Sequence, residues 1–171
     1  MQAIINFILD LFKGLESVKY GKEILVFIIS IMPVLELRGG ILASSLLGIK
    51  PITGYIISII GNFIPVPFIL LFINKILELM GKSKIKWINN IAKWLNNKVD
   101  KNKSQIVKYG YIGLLLFVGI PLPGTGAWTG CLIASVLGLD RKKSFIYISC
   151  GIILASVIMM ILSYGILDNL I

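Results

Sequence analysis

Glu36 and Arg38 are the only charged side chains within the long apolar blocks of this sequence. An ionisable group at bilayer depth costs at least about 2.5–3.5 kcal/mol on insertion scales, so it normally faces a polar cavity or a partner. Two positions apart they would diverge on a regular helix, but at a break in the chain both can face one cavity. Arg38 can then hold an anionic headgroup or substrate, and Glu36 can orient it or accept a proton. The alternative is a structural ion pair tying two elements together. Gly39 and Gly40 follow directly and would let backbone approach the same place. A second break, Pro121-Leu-Pro-Gly-Thr-Gly-Ala-Trp-Thr-Gly, carries no charge. Pro121 and Pro123 would end an incoming helix, and Gly124, Gly126 and Gly130 would permit a tight reversal. Backbone N–H groups at the start of the returning helix favour an anion, and Thr125, Trp128 and Thr129 can add polar or stacking contacts. Asn62 either reaches the same cavity or makes a hydrogen bond between helices.

Other chemistry is poorly supplied. The 171 residues include no histidine, which removes Ser-His and Cys-His nucleophiles and most zinc chemistry. Cys131 and Cys150 lie inside apolar runs without ligand spacing and read as small hydrophobes. An enzyme is not expected, nor is a metal or cofactor.

The elements that must position these residues are membrane helices. The chain is 57% hydrophobic and 15% charged, with mean hydropathy +0.91, against about a quarter charged in an ordinary soluble domain. Four apolar blocks stand out, 24–49, 52–73, 111–139 and 144–167. A span needs about 20 apolar residues. The second and fourth blocks qualify, with a kink expected in the second at Gly61, Pro65 and Pro67. The first is interrupted from Pro33 to Gly40 and the third from Pro121 to Gly130. Their arms run about 9–11 residues, roughly 15 Å of helix, which is half a bilayer and describes a re-entrant hairpin. A shift of about 90 residues, without a gap, lays Phe27 on Phe117, Pro33 on Pro123, Gly40 on Gly130, Gly48 on Gly138 and Gly61 on Gly151.

The expected fold is an all-α integral membrane protein, an inverted repeat of re-entrant helical hairpin plus transmembrane helix, with amphipathic interfacial helices. It would form one membrane domain over 1–171: an interfacial helix at 1–20, a first repeat at 24–74, a basic amphipathic linker at 75–109 and a second repeat at 110–167. In the linker Ile88, Ile91, Ala92, Leu95 and Val99 form an apolar stripe flanked by Trp87 and Trp94, suited to a surface carrying anionic lipid. Net charge is +9, and nearly all the excess falls in 75–108 and 141–143. If both hairpins return to their own side, these share one face, which the positive-inside rule makes cytoplasmic. The repeats then have opposite orientations, as in many secondary transporters.

Pro33-Val-Leu-Glu-Leu-Arg-Gly-Gly-Ile and Pro121-Leu-Pro-Gly-Thr-Gly-Ala-Trp-Thr-Gly resemble the two signatures of the small multidrug export protein family, over nearly the whole chain. That family looks like a distant branch of the DedA/VTT (SNARE-associated) superfamily. The resemblance implies two opposed re-entrant hairpins and movement of lipids such as polyprenyl-phosphate carriers. The sequence departs from it in having no arginine between Lys108 and Arg141 and no Pro-Gly-Glu in its first motif. The expected function is a membrane exporter or DedA-like lipid translocase of the plasma membrane, with a midplane site between the hairpins. The alternative is a scaffold or assembly factor acting through the basic linker. Partners expected are anionic lipid headgroups, a small-molecule or lipid substrate and a second copy of the chain; nucleic acid is not needed to explain the charge.

Overall fold

The computed structural model describes residues 19–81, 97 and 109–165. Most of the expected interfacial helix at 1–20 lies outside these, as do the stripe residues Ile88–Leu95 and Val99. Every regular element among the described residues is helical: α1 Gly21–Ile31, α2 Glu36–Leu46, α3 Pro51–Phe63, α4 Pro65–Gly81, α5 Tyr109–Gly119, α6 Ala127–Val136 and α7 Arg141–Met160. A π-helical turn, Ile161–Gly165, continues α7.

Both breaks become tips of helical hairpins. α1 ends at Ile31, where the Met32 N–H bonds back to the Ile29 carbonyl, and Pro33 follows. α2 starts three residues after Pro33. Its far end lies beside the start of α1, where Lys22 Nζ donates to the Leu47 carbonyl at 3.1 Å. The second hairpin closes similarly at its base: the Asp140 N–H donates to the Tyr111 hydroxyl at 3.1 Å.

The hairpins lie in two compact units, 1–64 with 152–171 and 65–151. Each unit takes one hairpin, the first part of the long helix that follows it, and the final part of the other long helix. In the first unit Leu25, Val26, Ile29, Leu35, Ala43 and Ile49 form the core, with Leu42, Leu47 and Ile57 against it. In the second, Leu114, Phe117, Val118, Cys131, Ile133 and Ile148 are buried.

Residues 51–73 and 141–165 make two segments long and apolar enough to cross a membrane. The expected break in the first falls at Ile64, between α3 and α4. Pro65 and Pro67 lack the N–H groups that would bond to the preceding turn. Only 39% and 33% of the most apolar windows of these segments is buried by protein. Ile52, Ile56, Ile60, Ile64 and Phe68 form an exposed stripe at four-residue spacing. Water would make such a surface an aggregation site; lipid covers it without cost.

The two hairpins do not superpose without a gap. Buried positions of α1 recur in α5 at an offset of 88: Val26, Ile29 and Ser30 correspond to Leu114, Phe117 and Val118. From α2 onward the offset is 90, as the tight turns at Gly48 (φ 67°) and Gly138 (φ 65°) show. The second tip is therefore two residues longer. Pro33 corresponds to Pro121 rather than Pro123, and Phe27 to Leu115 rather than Phe117.

Candidate functional site

Glu36 opens α2 with φ +51° and is 5% exposed; Arg38, two residues on, is 6% exposed. An L-residue in this left-handed region costs roughly 1–2 kcal/mol. At the matching position the other tip uses Gly126, whose φ of +137° suits glycine. Repeat one thus holds a charged side chain where repeat two holds none.

Gly39 and Gly40 serve close approach. A Cβ on Gly39 would sit 2.6 Å from Leu35 Cβ. One on Gly40 would collide with Ser30 Oγ and come within 2.8 Å of Ser58 Oγ. Ser30 donates to the Val26 carbonyl at 2.7 Å. Ser58 Oγ, fully buried, has no hydrogen-bond partner among the described residues.

The packing of α2 on α3 is antiparallel with a fixed register. Ser44 touches Gly54, and Gly40 touches Ser58, so four residues back along α2 match four forward along α3. One further step of four along the same two faces leads to Glu36 on α2 and to Asn62 on α3. Asn62 is 2% exposed and its Oδ1 has no hydrogen-bond partner among the described residues. A buried polar oxygen without a donor costs about 1–3 kcal/mol, and Ser58 and Asn62 lie one turn apart on α3.

The matching positions of the second repeat are apolar or aromatic: Val118 for Ser30, Ile148 for Ser58, Ile152 for Asn62 and Trp128 for Arg38, and both isoleucines are fully buried. Buried hydroxyls without a partner among the described residues also occur in the second unit, at Ser144 and Ser149. Gly130 and Gly151 still give close packing, with Val118 side-chain atoms 2.7 Å from where their Cβ atoms would lie. The polar members of the second tip serve its own backbone. Thr125 Oγ1 lies 3.0 and 2.9 Å from the Ile120 and Leu122 carbonyls and donates to them, while Gly124 turns at φ +85°. Pro123 and Gly124 are exposed, Trp128 is half-buried and Thr129 is buried. Beside this tip a hollow of about 250 Å³ is lined mainly by Tyr109, Leu116, Phe117, Ile120 and Leu122, with Thr125 as a polar member of its wall.

A further cluster pins the far end of α2. Ser44 Oγ and Tyr164 Oη are 2.8 Å apart, Tyr164 Oη donates to the Ile49 carbonyl at 3.2 Å, and Ser45 Oγ donates to the Ser163 carbonyl at 2.9 Å. These hydroxyl residues, and Ser30 and Ser58, escape a reading that treats the apolar blocks as uniform. Their signal is spacing: Glu36, Gly40 and Ser44, then Gly54, Ser58 and Asn62, recur every four residues along one helix face.

The profile of a family described as "Putative small multi-drug export protein" matches residues 36–158. No curated protein and no solved structure matches the chain.

Proposed function

Because the chain belongs to the small multi-drug export protein family, whose profile spans residues 36–158, we propose that it is a multi-pass plasma-membrane transporter whose cargo is handled by the polar face of the first repeat. The observation that carries this reading is the pair of buried oxygens on Ser58 and Asn62, which have no hydrogen-bond partner among the described residues and lie on α3, the helix packed against the Gly40 and Ser44 face of α2. Proteins normally satisfy buried polar atoms, so such a pair, in the unit that also buries Glu36 and Arg38, supports a transient occupant. Glu36 and Arg38 together are neutral, which favours a zwitterionic or phosphate-bearing group over a cationic drug; a cation would be served by an unpaired carboxylate. A phosphate-bearing amphiphile is the cargo class this reading favours.

In this reading both hairpins are re-entrant, the basic stretch 75–109 faces the cytoplasm against anionic lipid, a second copy can cover the tips, and no bond of the cargo is broken. The test is reconstitution into liposomes, with one assay for scrambling of a fluorescent phospholipid and one for uptake of a soluble phosphate-bearing solute. We expect activity in the first, reduced at least tenfold by Glu36→Gln with Arg38→Gln and by Asn62→Leu. Wild-type inactivity in both assays overturns the transporter reading. Full activity of the variants overturns the site.

A further inference from the structure

The start of α7 and the side of α4 enclose a groove of about 340 Å³ within the second unit. Its walls are Pro67, Leu70, Leu71, Phe145 and Ile146, all apolar, and at its rim stand Arg141 and Lys142. Leu71 and Ile146 are 51% and 57% exposed, and the groove runs into the apolar surfaces that α4 and α7 turn away from the protein. The neighbouring charges have structural work. Asp140 caps α7 by accepting the Lys143 N–H at 2.9 Å. The Lys143 ammonium lies 5.9 Å from the centre of the Tyr111 ring, which stacks on Tyr147. Arg141 and Lys142 are both exposed and engage no described residue.

We propose that this groove is a fixed site for an anionic phospholipid, one acyl chain lying against Leu70, Leu71, Phe145 and Ile146 and the phosphate bridging Arg141 and Lys142. Several observations select this occupant over a soluble anion or a peptide. The apolar walls sit on a face that needs hydrocarbon cover. The cations mark the point where α7 leaves its apolar run, which is headgroup level for a helix of this length. Two adjacent uncommitted cations favour a negative headgroup over a zwitterionic one, since a basic residue near an anionic surface gains about 1 kcal/mol. A free phosphate would leave the groove empty. The site is built from the second unit alone and does not depend on the cargo reading.

The experiment uses the full chain in nanodiscs of phosphatidylcholine doped with phosphatidylglycerol bearing a diazirine near the end of one acyl chain. After irradiation, adducts are mapped by peptide mass spectrometry. The expected result is labelling of peptides containing residues 70–71 and 145–146. Arg141→Gln with Lys142→Gln should lower it about tenfold or more. Ile146→Trp, which fills the groove while leaving both cations, should lower it similarly. Lys143→Gln, which removes the same kind of charge one residue away, should leave it unchanged and serves as the folding control together with the elution profile of each variant. Equal labelling by the phosphatidylcholine analogue would overturn the proposal. So would equal loss in Lys143→Gln, or adducts confined to the basic stretch 75–109.

Discussion

Gly40 and Asn62 make opposite demands on the first unit. At Gly40 the absence of a side chain lets two serine hydroxyls meet backbone, and a Cβ there would lie 2.8 Å from Ser58 Oγ and closer still to Ser30 Oγ. Gly40→Ala should therefore lower stability by about 1–3 kcal/mol, the usual cost of overpacking. Adding Ser58→Ala should recover part of that loss, because it removes one of the colliding atoms; thermal unfolding in detergent reads both. Asn62 is the reverse case. Its buried Oδ1 lacks a donor among the described residues, so Asn62→Leu should raise stability by about 1 kcal/mol even as it removes transport. A gain in stability with a loss of activity is the mark of a residue kept for its chemistry. A destabilised Asn62→Leu would instead make the amide a structural member of the helix packing. Glu36 belongs with Asn62: it accepts a left-handed backbone at a place where the other tip has glycine.

At the scale of the elements, the helix breaks were legible and the detailed register of the arms was not. Pro33, Pro121, Gly124 and Gly126 announce breaks because ring and backbone geometry forbid a continuous helix there. The 11-residue arms of the first hairpin follow directly from where its apolar run is cut. The two extra residues in the second tip escape notice because an apolar arm shifted by two still looks apolar; only the alternation of buried and exposed positions along α1 and α5 reveals the offset. Glu36 and Arg38 stood out as charges in apolar sequence, whereas Ser58 became visible only through the helix it faces. The π-helical turn was equally hidden, since it rests on hydroxyls reaching across the fold. Ser45 takes the Ser163 carbonyl, and Tyr164 spans Ser44 and the Ile49 carbonyl. Tyr164→Phe breaks the second of these links and should cost about 1 kcal/mol. Hydrogen exchange should quicken at 161–165 and at the turn 47–50, and nowhere in 109–136. Unchanged exchange at 161–165 would mean that helix packing alone holds this end.

For the whole molecule the decisive question is which helix ends share a side of the membrane. The segment 141–165 has 25 residues and 51–73 has 23, or about 35–38 Å at 1.5 Å per residue, enough to cross a hydrocarbon core of about 30 Å. In the proposed reading residues 50 and 75 lie on opposite sides. The bond from Lys22 to the Leu47 carbonyl holds the two ends of the first hairpin together, which would place Lys22 and Lys50 on one side. The second hairpin is closed at its base through Tyr111, Asp140 and Lys143, which would place residues 111 and 142 on one side as well. Positive-inside bias would then put the triplet Arg141–Lys143 in the cytoplasm and leave Lys22, balanced by Glu23, outside. Single cysteines at Lys50, Lys75 and Lys142 in a Cys131→Ala, Cys150→Ala background test this with a membrane-impermeant maleimide on intact cells. Lys50→Cys should react from outside, and Lys75→Cys and Lys142→Cys only after the membrane is opened. Labelling of Lys142→Cys from outside would mean that the second hairpin crosses the bilayer completely, and the opposed orientation of the repeats would fall with it.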